Sequence, residues 1–101
     1  MDEKLIIELI NQFFEIEKKT KQESFKRADQ PLRKIKWLIE SAGYMVKDPL
    51  GETYDHMRTD CEATILKEEE PYVISETLKP AIYVVEDEIP RIVQLARVII
   101  N

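Results

Sequence analysis

Glycine is nearly missing from this chain: there are two in 101 residues, Gly43 and Gly51. Loops that cradle phosphate need several glycines at fixed spacing so that backbone N–H groups can approach an anion, and neither glycine has such a neighbour. A nucleotide-using enzyme is disfavoured. The lone Cys61 excludes an internal disulfide and fits a reducing compartment. The longest apolar runs, LII at 5–7 and VII at 98–100, fall far short of the ~20 residues of a membrane span. The opening MDEKLIIELI sets two acids ahead of a brief apolar stretch and lacks the basic start and small-residue cleavage site of a secretory signal. These absences predict a cytoplasmic protein without membrane association.

Charge is plentiful but uneven. The net charge is −5; residues 1–40 carry nine Lys/Arg against eight Asp/Glu, and residues 41–101 carry six against twelve. Nucleic-acid binding rests on neutralising phosphates, so an acidic chain with few clustered cations argues against it, although a local patch such as RKIK at 33–36 leaves it open. A content of 44% hydrophobic and 35% charged residues is that of a folded, heavily solvated protein, and the length suits one domain.

From Asp2 to about Ala28 the apolar residues Leu5, Ile6, Leu9, Ile10, Phe13, Phe14 and Ile16 recur at three- and four-residue steps, the stripe of a helix. After Ile16 the stripe thins to Phe25 and Ala28, which predicts an exposed extension. Pro31 opens a second helix, capped from Asp29 or Gln30 and running to Ala42, with Leu32, Ile35, Leu38 and Ile39 on one side and Trp37 at the margin. Gly43 is its expected left-handed stop.

From Tyr44 the texture changes to short β-rich pieces: YMV, ETY, ATIL, YVISETL, AIYVV and RIVQLARVII, parted by DPLG, KEEEP and EDEIP. The last piece also suits a helix beginning at Pro90, and its β-branched content favours strand. KEEEP reads as a hydrophilic hairpin connection. In DPLG, proline second and glycine fourth suit a type I turn. Helices followed by strands predict an α+β chain: a helical hairpin over 1–43, then a small, mainly antiparallel β-domain over 44–101, within one compact chain. Two helices alone would leave the stripe wet. A homodimer that completes a four-helix bundle through Leu5, Ile6, Leu9, Ile10, Phe13, Phe14 and Leu38 is therefore expected.

The densest polar run is YDHMRTDCE, 54–62, where Asp55, His56, Asp60 and Cys61 are nominal metal ligands. Zinc takes four ligands in paired short spacings, and one cysteine with one histidine offers no second pair. A Cys61/His56 nucleophile would need an orienting group and an oxyanion site, and no Gly-rich loop supplies its donors. Cys61 beside Ala63 and Ile65 reads instead as a small buried residue at the start of a strand. No catalytic residue, metal or cofactor is expected.

From about Leu32 to the end the chain resembles the C-terminal part of GrpE, the nucleotide exchange factor of DnaK-type chaperones. The resemblance rests on a helix ending in Gly43, on PLGETYD with Gly51, Glu52, Tyr54 and Asp55, on CEA at 61–63, and on a closing pair. That pair is similar to SETLKPAIY (75–83) followed by IVQLARVII (92–100), or the family's last strand falls on LKPAIYV (78–84). Cys61 stands where the family has histidine, two extra residues lie between Asp55 and Ala63, and the glycine of the penultimate strand is missing. The resemblance implies a dimer whose β-domain grips a DnaK-type ATPase and opens its cleft so that ADP leaves, with no enzymatic activity of its own. It implies partner contacts at Gly43, as the hinge between helix and domain, at Leu50, Gly51, Glu52 and Tyr54, and at Arg97. The alternative is a GrpE-fold adaptor or scaffold for a different protein.

Overall fold

The computed structural model describes residues 2–23 and 29–101. It is α+β: helices α1 (Glu3–Glu23) and α2 (Asp29–Ser41) precede seven strands. These are β1 (Tyr44–Lys47), β2 (Thr53–Tyr54), β3 (Cys61–Ile65), β4 (Tyr72–Lys79), β5 (Ala81–Glu86), β6 (Ile89–Gln94) and β7 (Ala96–Ile100). The chain forms two compact units, residues 1–45 and 46–101.

In the first unit, Asp2 caps α1: its carboxylate accepts the Lys4 N–H at 3.1 Å and its carbonyl accepts that of Ile6 at 3.1 Å. The predicted continuation of this helix through Phe25 and Ala28 lies outside the described residues. α2 stops as expected, with Gly43 at φ 90° and its N–H donating to the Glu40 carbonyl at 3.0 Å. A packed helical hairpin is not shown. Instead α1 and α2 line an open apolar groove of about 660 Å³, with Ile6, Leu9 and Phe13 on one wall and Ile35, Leu38 and Ile39 on the other. A four-helix bundle is likewise not a feature of the single chain.

The strands fall into two sheets, ordered β1-β5-β6 and β2-β4-β7-β3. One long antiparallel pair supplies both. Residues 72–86 run up, Asp87 and Glu88 turn the chain, and residues 89–100 run back. This pair is interrupted at Pro80, which has no N–H to donate, and opposite it at Leu95. RIVQLARVII is thus strand, as predicted, but it is two strands in two sheets. The Gln94 side-chain amide donates to the Pro80 carbonyl at 2.9 Å and closes the gap.

β4 is longer than its partner β7, and two register slips absorb the difference. Buried residues on β4 accordingly step from Tyr72 to Ile74 and then by three to Thr77, so Glu76 stays exposed. Ser75, the extra residue of the first slip, donates its hydroxyl to the Ile99 carbonyl at 3.1 Å. Behind these strands Cys61, Tyr72, Ile74, Ala81, Ala96, Val98 and Ile100 form the core of this unit, with Tyr54, Ala63 and Tyr83 packed against it.

Two local expectations are corrected. KEEEP is not a hairpin connection: it leads from β3 to β4, which are not neighbours, because β3 pairs in parallel with β7 instead. The turn at DPLG begins one residue later than predicted. The Glu52 N–H donates to the Pro49 carbonyl at 3.0 Å, which makes Gly51 the third residue, and its φ of 84° is that of a type II turn. The proline at the first position is buried, and Asp48 steadies the approach by accepting the Leu50 N–H at 3.1 Å.

Left-handed backbone occurs at Gly51 and also at Asp87 (φ 51°) and Glu88 (φ 66°), where a two-residue hairpin demands it without glycine. A Cβ on Gly51 would meet nothing within 4 Å, so its cost is conformational alone. Gly51→Ala is expected to lower unfolding free energy by about 1 kcal/mol, and Glu88→Gly to raise it by a similar or smaller amount. Urea denaturation of the two variants against the parent measures both signs.

Candidate functional site

The turn that carries Leu50, Gly51 and Glu52 is tied to the sheet from two directions. Gly51 donates its N–H to the Ile74 carbonyl at 2.8 Å, and the Ile74 N–H returns to the Glu52 carbonyl at 2.9 Å. This prolongs the β2–β4 pairing of Thr53 with Val73 and Tyr54 with Tyr72. Leu50 is left at the tip, 56% exposed.

From the other side comes Arg58, the sole Lys or Arg between Lys47 and Lys67. Its Nε and Nη2 reach the two oxygens of Asp60 at 2.7 and 3.1 Å, its Nη1 reaches the Thr53 carbonyl at 2.9 Å, and its Nη2 also reaches Glu52 at 2.6 Å. A planar guanidinium can hold all of these at once, which an ammonium cannot. The consequences are electrostatic as well as geometric. The hydrogen bonds from Arg58 hold the Asp60 carboxyl below its ordinary value, and those to Asp60 and then Glu52 raise the guanidinium further still.

Cys61 begins β3, buried as predicted, with its thiol 3.5 Å from Asp60 Oδ1. Burial first, and the Asp60 charge second, push this thiol up to about 11. That direction is opposite to the activation a cysteine nucleophile requires. His56 lies elsewhere: its ring meets Tyr54 and Tyr72 edge-on at 6.2 and 6.5 Å, and its Nε2 is 3.8 Å from Glu70. Asp55 accepts the Met57 N–H at 2.8 Å and so shapes its own loop. Among the described residues no three His, Cys, Asp or Glu side chains gather as a group that could hold a metal. The polar run 54–62 is built around Arg58.

A second exposed feature lies on the four-stranded sheet. Register places Lys79 of β4 opposite Arg97 of β7, and Arg97 opposite Glu62 of β3, whose carboxylate is 3.8 Å from the guanidinium. Together with Gln94 and Leu95 these side chains line a polar depression of about 210 Å³.

The predicted contact residues are therefore not equivalent. Leu50 and Arg97 present their side chains to solvent, Glu52 is engaged by Arg58, Tyr54 is half-buried against the core, and Gly43 and Gly51 act through their backbone angles. The predicted dimer residues divide as well. Ile10, Phe13 and Phe14 are already buried in the single chain, whereas Leu5, Leu9 and Leu38 are about half exposed and Ile6 is intermediate. The stripe is wider than one contact face. Arg58 was legible only as the single cation among Asp48, Glu52, Asp55, Asp60 and Glu62, a signal of charge rather than of periodicity.

No protein-family model matches this chain, and no curated protein and no solved structure matches it either.

Replacing Arg58 by alanine is expected to cost about 2 kcal/mol at neutral pH, because Asp60 and Glu52 are left without their donor. Arg58→Lys recovers less than half of it. The folded Asp60 titrates below 3.8, so its contribution is present above about pH 4 and is lost as pH falls through the lowered value. Denaturation of parent and Arg58→Ala from pH 7 to pH 2 should show the difference narrowing only in acid.

Proposed function

We propose that this protein acts by binding other proteins, as a GrpE-like co-chaperone that promotes ADP release from a DnaK-type ATPase through its β-domain. The observation that supports the reading is the succession of elements. A helix ends in left-handed Gly43, and a short strand and the Pro49–Glu52 turn follow. Tyr54 and Asp55 come next, then Cys61, Glu62 and Ala63 on one strand, and finally the closing strands, in the order the resemblance implies. Exchange of this kind needs no catalytic side chain. A partner that binds the open cleft of an ATPase better than the closed one shifts the population and hastens release. In this reading Leu50 at the turn tip and Arg97 on β7 make the contact, while Arg58 holds the turn in place through Glu52 and Thr53.

A second reading, a GrpE-fold adaptor for a different partner, is favoured by the engagement of Glu52 and Tyr54 within the domain, which narrows the surface offered around the turn to Leu50. A DnaK-type ATPase preloaded with fluorescent ADP separates the two. The exchange reading expects release to accelerate with added protein and to weaken for Leu50→Ala and Arg97→Ala; unchanged release at saturating protein leaves the adaptor reading.

The proposed homodimer would cover Leu5, Leu9 and Leu38 together with Ile35 and Trp37, all of them exposed in the single chain. Sedimentation equilibrium at micromolar concentration is expected to give twice the 11.9 kDa chain mass for the parent and the single-chain mass for Leu9→Glu. A parent that sediments at 11.9 kDa removes the dimer.

A further inference from the structure

Sheet edges are templates for further pairing, and proteins ordinarily blunt them with lysine, proline, register slips or shortness. Three of the four edges here are blunted in this way. β6 carries Pro90 and Arg91 and a register slip, β1 has four residues and ends on Lys47, and β2 has two residues. β3 has none of these devices: over Cys61–Ile65 it contains no proline and no lysine, and it pairs with β7 in unbroken register from Cys61↔Ala96 to Ile65↔Ile100.

Its unpaired side can be assigned residue by residue. The Asp60 carbonyl accepts the Ala96 N–H at 2.9 Å, and the Leu66 N–H donates to the Ile100 carbonyl at 3.0 Å, so the even-numbered residues face β7. In a parallel ladder the N–H and C=O of one residue point to the same side, and successive residues alternate. The peptide groups of Cys61, Ala63 and Ile65 therefore point away from the sheet. Beside them Ile65 and Leu66 are 47% and 63% exposed. Glu68 and Glu69 follow, both exposed, with Lys67 the sole cation beside them in sequence.

We propose that β3 accepts an extended segment of a partner protein, bearing lysine or arginine, as a fifth strand of this sheet. Outward peptide groups repeating every ~6.8 Å are satisfied together by another extended backbone, which is the physical basis of strand addition. An apolar side chain of the segment would cover Ile65, and its basic residues would meet Glu68 and Glu69. Strand addition at β3 needs no chaperone and does not depend on nucleotide exchange.

The test uses the full chain, isotope-labelled, and the peptide acetyl-Val-Lys-Val-Lys-Val-Lys-amide. Binding should shift the Ala63 and Ile65 amides and slow their hydrogen exchange. Ile65→Pro, which removes an outward donor and spares the bonds to β7, should abolish that protection while Ala96 keeps its own. Reversing Glu68 and Glu69 to lysine should weaken binding about fivefold, the worth of two exposed charge pairs. The proposal is overturned by unchanged amides at millimolar peptide, by shifts centred on Lys79 and Arg97 or on the helices, or by equal binding of the glutamate-for-lysine peptide. Protection of Ala63 and Ile65 that grows with protein concentration alone also overturns it, since the occupant is then a second copy.

Discussion

Proline at position 80 cannot donate to a ladder, and the long antiparallel pair formed by residues 72–86 and 89–100 is interrupted there and at Leu95. Almost everything in the β-rich unit depends on that interruption. It releases one half of each long strand to a three-stranded sheet and the other half to a four-stranded one, so a single hairpin serves two layers. Ala81 and Ala96, the residues that follow the two breaks, are 1% and 0% exposed, and their small side chains sit in the core among Ile74, Val98 and Ile100. The Gln94 amide on the Pro80 carbonyl supplies a hydrogen bond that the ladder cannot make at this point.

The polar chemistry of the chain is spent largely on holding loops. Arg58 joins the carboxylates of Asp60 and Glu52 and the Thr53 carbonyl, while Asp48 and Asp55 each accept a backbone N–H two residues on. Groups so engaged are poor candidates for chemistry on a substrate, and the buried thiol of Cys61 is shifted away from reactivity. What faces solvent is of another kind: a leucine at a turn tip, a row of charges across three strands and an apolar groove on the helical unit, while β3 ends its sheet without a further strand.

Local patterns were legible where they recur within a few residues. The three- and four-residue spacing of Leu5 to Ile16, the stop at Gly43 and the strand character of YVISETL and AIYVV are readable in one pass, whereas RIVQLARVII fits helix and strand alike and only its β-branched content favours strand. The register slips of β4, the parallel pairing of β3 with β7 and the fourfold engagement of Arg58 are not. Each depends on a residue far away in sequence or on a turn whose start shifts by one. Position 51 shows the limit: a glycine after Asp-Pro-Leu announces a turn, but whether it stands third or fourth depends on the pairing of its N–H with Ile74, 23 residues on.

The sequence by itself determined the order of helix and strand, the places where the chain must reverse, and the absence of clustered glycines and cysteines, because each of these is a property of neighbouring residues. Tertiary structure alone decided which strands share a sheet, which apolar residues of α1 are buried in the single chain and which are exposed, and which acids Arg58 draws together. Those outcomes depend on distances between residues that the chain brings together only after it has folded, and no local preference encodes them.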